Sequence, residues 1–116
     1  MVRVPERRSF ARLVESLPVS IRHPGFRSDC RILNLSASGV LCRAARSIAP
    51  MTKIELVLEV PPFDEAMKPR AMRIEGVVVR NETDGEEYRL AVFFTDISKA
   101  NRTHLARYID TKLKGQ

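Results

Sequence analysis

Apolar residues recur at every second position through the middle of this chain, and the alternation predicts a series of short strands. Leu17, Val19 and Ile21 alternate with Pro18, Ser20 and Arg22, after which His23-Pro24-Gly25 reads as a turn. Residues 28–35 form a second strand around Cys30, Ile32 and Leu33. Ser36-Ala37-Ser38-Gly39 has turn chemistry, and Val40-Leu41-Cys42-Arg43 resumes an extended pattern. Ile54, Leu56, Leu58 and Val60 give the cleanest strand, with Lys53, Glu55 and Glu59 on its other face and Pro61-Pro62 ending it. Met72, Ile74 and Val78 build a fifth strand, in which Gly76 predicts a bulge or bend. Asn81 to Glu87, containing Asp84-Gly85, reads as a polar hairpin loop. Tyr88, Leu90, Val92 and Phe94 then alternate with Arg89, Ala91 and Phe93 as a sixth strand.

Beyond Phe94 the period changes from 2 to 3.6. Ile97, Ala100, Leu105, Tyr108, Ile109 and Leu113 recur at helical steps, Asp96 or Ser98 offers an N-cap, and Gly115 stands past the end. The apolar face of this helix must pack on something, most simply the open end of a barrel. The predicted fold is mainly β: a small six-stranded antiparallel β-barrel with a C-terminal α-helix. Closure removes the exposed strand edges that six short strands would otherwise carry. The organisation is a flexible, Arg-rich arm over residues 1–13, a barrel over 14–95 and the helix over 96–115, all one domain of 116 residues.

Charge changes the picture. The net +6 is carried wholly by residues 1–46, which hold nine arginines, no lysine and three acids (Glu6, Glu15, Asp29). Residues 47–116 hold eleven bases and eleven acids. A solubilising surface mixes Lys with Glu throughout, whereas an excess made only of Arg argues for planar recognition of an anion. The arginines surround two short motifs. Arg8-Ser9-Phe10-Ala11-Arg12 offers two guanidiniums four residues apart. Asn34-Leu35-Ser36-Ala37-Ser38-Gly39 offers an amide, a hydroxyl and a glycine at the strand-to-strand turn. Arginine forks match phosphate oxygens and stack on purines, Asn and Ser hydrogen-bond base edges, and Gly admits a close backbone approach. Together they fit a small phosphorylated purine.

Other chemistry is poorly represented. No apolar run approaches the roughly 20 residues that span a bilayer, and the N-terminus has no apolar segment of a secretory signal. Membrane insertion is therefore not expected, and a cytoplasmic protein is. Cys30 and Cys42 flank the second motif and read as buried, reduced thiols. His23 reads as a turn residue and His104 as a helix-flank residue. Neither has a ligand set around it, and no metal site is expected. Asp84, Glu86 and Glu87 read as a solvated loop, and Arg43 and Arg46 as surface residues. No nucleophile–base pair can be assembled, so an enzyme ranks last. Aromatic residues are only 6% and there is no Trp, too few for a nucleic-acid stacking groove.

The two motifs, in this order and spacing, resemble those of the PilZ domain, a bacterial receptor module for cyclic di-GMP. Arg8 and Arg12 match its RxxxR element, and Asn34, Ser36 and Gly39 match its (D/N)xSxxG element. The resemblance implies that Arg8 and Arg12 bind phosphates and guanine acceptors, with Arg7 a third phosphate contact. It implies that Asn34 and Ser36 hydrogen-bond the second guanine and that Gly39 keeps the strand surface clear. Ser38 stands where the family often has Gly. The implied function is a non-enzymatic receptor or adaptor whose ligand is cyclic di-GMP and which needs no cofactor. The arm would be mobile when free and would wrap over the ligand, with Phe10 and Leu13 packing on the barrel. Output would pass to an unidentified protein partner, from a monomer or weak dimer. The alternative is a protein-interaction module of the same fold, pilus- or motility-related, that binds no nucleotide.

Overall fold

The structure is a computed structural model that describes residues 17–63 and 66–114. Arg7, Arg8, Arg12, the rest of the arm and Gly115 lie outside the described residues. Six strands are present: β1 (Leu17–His23), β2 (Phe26–Leu35), β3 (Gly39–Ala44), β4 (Lys53–Val60), β5 (Arg70–Asp84) and β6 (Glu87–Asp96). All neighbours are antiparallel. The order β1-β2-β3-β6-β5-β4 closes back on β1 as a barrel, as the alternation requires. Along β4 the pattern is strict: Ile54, Leu56, Leu58 and Val60 are buried while Lys53 and Glu59 are exposed. Each such buried aliphatic side chain contributes roughly 1.5–3 kcal/mol.

The β1–β2 connection is a two-residue turn, Pro24-Gly25, closed by the Gly25 N–H donating to His23 Nδ1 at 2.9 Å. The His23 ring in turn stacks on Phe26, centroids 4.6 Å apart. Gly76 does mark a bulge, between Glu75 and Gly76 in the β5–β6 register. One expectation is corrected: residues 81–84 and 87 are strand, not loop, and the hairpin narrows to Gly85-Glu86. Gly85 has φ 66°, the positive φ at the first position that a type II′ turn demands. Polarity misled the reading because this end of β5 is solvent-facing on both sides. Asp84 is engaged there by two guanidiniums, Arg43 at 2.6 Å and Arg89 at 3.6 Å. The Arg43 hydrogen bond holds its carboxyl below the ordinary carboxylate range.

Helix α1 (Lys99–Lys114) begins at Ser98, whose Oγ accepts from the Asn101 N–H at 3.0 Å and whose carbonyl accepts from Arg102 N–H at 2.8 Å. Leu105, Tyr108 and Ile109 join the same core cluster as the inward barrel residues. Phe63, in the β4–β5 connection, rests on the rings of His104 (5.3 Å) and Tyr108 (6.0 Å). Arg70 at the start of β5 donates to Asn101 Oδ1 at 3.0 Å. Burial, reinforced by Arg70 and Arg107, pushes the His104 pKa down. Replacing the cap, Ser98→Ala, is expected to destabilise the fold by about 1 kcal/mol in thermal denaturation. Asp96 makes no contribution to the cap, so Asp96→Ala serves as the control and leaves stability nearly unchanged.

Candidate functional site

The turn between β2 and β3 is shaped by one hydroxyl. Ser36, 6% exposed, places its Oγ 3.3 Å from the Ser38 N–H that donates to it and 3.3 Å from the Gly39 carbonyl to which it donates. The Ser38 hydroxyl lies 3.2 Å away, and the Ser36 N–H donates to the Gly39 carbonyl at 3.0 Å. The Ser38 carbonyl accepts from Phe94 N–H at 2.9 Å, which ties the turn to β6. Asn34 follows a bulge in β2, between Ile32 and Asn34.

Asn34, Ser36 and Gly39 line one groove of about 440 Å³ together with Ser38. Its floor is apolar and comes from the outward face of β3, β6 and β5: Leu41, Ala91, Phe93 and Val79. Phe93 and Val79 are 53% and 50% exposed, unusual for large apolar side chains. Val79 faces outward by the strand's own alternation, and a second bulge, between Val78 and Arg80, resets β5 so that Arg80 faces outward beside it. A flat apolar floor with amide and hydroxyl groups on one rim suits a planar heterocycle: the ring rests on carbon while its edge finds donors and acceptors.

Arg80 completes the far wall. Among the described residues it has no ion-pair partner, in contrast to Arg43 and Arg89, which Asp84 and Glu87 occupy. Arg80, Phe93 and Val79 were missed as site residues. The sequence signal for Val79 and Arg80 was the β-branched run Val77-Val78-Val79, which carries the strand beyond Val78, and for Phe93 it was its place on the alternate face of the sixth strand. The motif residues Arg7, Arg8 and Arg12 cannot be placed relative to this groove, since they lie outside the described residues.

Gly39 has a reason to be glycine that the protein itself supplies. A Cβ built there would lie 2.5 Å from the Val92 carbonyl oxygen, so β6 occupies the space of a side chain. Gly76, on the other flank of β6, is similar: its Cβ would meet Val92 Cγ1 at 2.8 Å and the Phe93 carbonyl at 2.9 Å. The strand carrying Phe93 is thus approached closely from both sides, and the groove floor is rigidly backed.

Cys30 and Cys42 are free and buried beneath this wall. Their mutual hydrogen bond and burial push the Cys42 thiol up, so it stays protonated. Among the described residues no group of three His, Cys, Asp or Glu side chains is arranged to hold a metal ion, and no helix is long and apolar enough to cross a membrane.

The sequence profile of the PilZ domain matches residues 6–111. No curated protein matches the chain. Among solved structures, the Bacillus subtilis inhibitor of motility MotI/DgrA superposes with a TM-score of 0.85 at 22% identity, covering 97% of this chain and 54% of that one. The chain therefore spans about half the length of that neighbour. The PilZ domain of YcgR from Escherichia coli, solved with c-di-GMP, gives a TM-score of 0.68 at 13% identity, covering 95% of this chain and 94% of that one. The PilZ domain of CeSA from a cellulose-synthesizing bacterium gives 0.60 at 12% identity, covering 90% and 98%. At these identities the neighbours establish the fold, and the profile match over nearly the whole length establishes the rest: this chain belongs to the PilZ domain family, a cyclic di-GMP receptor class.

Proposed function

We propose that this protein is a cytoplasmic, non-enzymatic receptor for cyclic di-GMP. The observation that carries the reading is the groove itself, where Asn34, Ser36 and Gly39 share one concavity with an apolar floor and an uncommitted guanidinium, Arg80. One guanine rests on Phe93 and Leu41 with its edge toward Asn34 and Ser36. Arg80 faces its O6/N7 acceptors or the adjoining phosphate, the two groups an arginine fork matches best. Arg8 and Arg12, with Arg7 beside them, supply the remaining phosphate contacts from the arm formed by residues 1–13. Ordering of that arm on the ligand creates the surface that a partner protein reads.

The test is titration calorimetry of the intact protein with cyclic di-GMP, run beside GTP. Saturable heat with the cyclic dinucleotide and none with GTP at equal concentration is the expected result. Absence of heat together with absence of a thermal shift would remove the receptor reading and leave a PilZ-fold interaction module.

A further inference from the structure

The second half of the chain is neutral only on average. Residues 47–96 hold six bases and ten acids, whereas residues 97–116 hold five bases and one acid, and all six of the latter charges lie on α1. The single acid of the helix, Asp110, is engaged by Lys114 at 3.2 Å. Lys99, Arg102 and Arg107 are exposed and have no ion-pair partner among the described residues. Asp96, just ahead of the helix, pairs with none of them, and Arg70 adds a further base where it reaches Asn101.

Two of these bases stand where they are unfavourable. Lys99 and Arg102 occupy the first turn, which holds no acid, at the positive end of the helix dipole. They are also three residues apart, a spacing at which like charges repel. The core contacts of α1 are made by Leu105, Tyr108 and Ile109 instead, so these charges serve no packing. Arg102 and Arg107 stand roughly 140° apart about the helix axis, at about 100° per residue. Thr103 and Ala106, small and exposed, lie in the arc between them, with Lys99 at its head and Asp110 at its foot. The Phe63 ring, 5.9 Å away, steadies the Arg107 guanidinium. The exposed face is thus a shallow trough with a small-residue floor and a guanidinium on each bank.

We propose that this face of α1 is a docking site for an acidic α-helix of a partner protein. The small floor admits a second helix at short interaxial distance. The two banks meet carboxylates on both flanks of that helix, as the e and g positions do across a coiled coil. An antiparallel approach sets the negative, C-terminal end of the partner's dipole against Lys99 and Arg102, which removes the cost they carry in the free protein. A second copy of this chain would bring like charge, net +6. A membrane surface would find no large exposed apolar side chain on this helix to anchor. The face shares no residue with the groove of Asn34, so the inference stands apart from the receptor reading.

The experiment is an NMR titration of the isotopically labelled full chain with an Ala-rich peptide of about 20 residues, long enough to be helical alone, whose Glu residues recur at i, i+4 and i+7. The backbone amides of Arg102, Thr103, Ala106 and Arg107 report. A peptide of the same composition with its Glu residues scattered around the helix, duplex DNA, and phosphatidylglycerol vesicles form the other arms. A saturable shift centred on α1, tightest with the one-faced peptide, is expected. Arg102→Gln and Arg107→Gln each weaken it roughly threefold and together about tenfold, the range of exposed charge pairs, while Lys53→Gln leaves it unchanged. Lys99→Glu has two opposite effects: it raises the melting temperature by a few degrees, because an acid now stands in the first turn, and it weakens the peptide. No saturable shift, shifts that map elsewhere, equal binding of the scattered peptide, tighter binding of DNA or vesicles through the same residues, or a melting temperature lowered by Lys99→Glu would each overturn the assignment.

Discussion

Gly39→Ala is expected to lower the melting temperature of the unliganded protein by roughly 10 °C, corresponding to about 3 kcal/mol of overpacking. The added methyl would lie 2.5 Å from the Val92 carbonyl oxygen, a backbone atom held in the β3–β6 ladder. Neither strand can move alone: β3 is fixed by Ser36 at the turn, and β6 is backed on its other edge by β5. Gly76→Ala is expected to be the milder variant. One of its two clashes is with the Val92 side chain, which can rotate, although the Phe93 carbonyl at 2.9 Å cannot. Gly85→Ala meets no atom within 4 Å and carries only the left-handed backbone cost of about 1 kcal/mol. Differential scanning calorimetry of the three variants gives the order. If Gly39→Ala melts within a degree or two of the parent, the close approach of β6 is not what fixes this glycine, and only a ligand can account for it.

That result bears on how the second motif is to be interpreted. Ser36 and Gly39 read in the sequence as groups for a ligand, yet both also build the turn. The Ser36 hydroxyl spends its hydrogen bonds on Ser38 and Gly39, and Gly39 makes room for Val92. Shape comes before recognition here: the turn must exist before Asn34 and the floor can present a pocket.

The barrel was legible because period-2 alternation is forced wherever one strand face is buried, and every strand contributes such a face. The change of period after Phe94 marked the helix for the same reason, and side-chain chemistry narrowed its cap to Asp96 or Ser98, of which the structure uses Ser98. What stayed hidden lies where alternation lapses. The last six residues of β5, 79–84, are exposed or half-buried throughout, so their polarity mimics a loop. The bulge between Val78 and Arg80 shifts the phase by one residue and turns Arg80 outward beside Val79, which no fixed period anticipates. Arg80, between the last apolar residue of that predicted strand and the predicted loop, was assigned no role, although it shares the groove with Asn34. Phe93 was readable as a strand residue, but its position on the groove floor depends on the non-sequential pairing of β3 with β6, which local alternation does not specify.

The larger effect on function is expected at the arginines. The double variant Arg8→Ala, Arg12→Ala should weaken cyclic di-GMP binding at least about a hundredfold, since each charge-assisted hydrogen bond contributes roughly 1.5–3 kcal/mol. The loss should exceed what charge alone explains. Arg8→Lys, Arg12→Lys retains both positive charges but not the planar fork or the ring-stacking face, and is expected to recover only a small part of the affinity. Arg80→Ala, which removes one guanidinium from the groove wall, should cost about tenfold on the same scale. Arg80→Ala should not change the melting temperature of the unliganded protein by more than a degree or two, because Arg80 is exposed and has no partner among the described residues to lose. Calorimetric titration of each variant, with a melting curve on the same sample, separates recognition from folding. Lysine variants that bind as tightly as the parent would mean the ligand sees a diffuse positive field and not oriented guanidiniums. Alanine variants that do so would move recognition entirely into the groove of Asn34, Phe93 and Arg80.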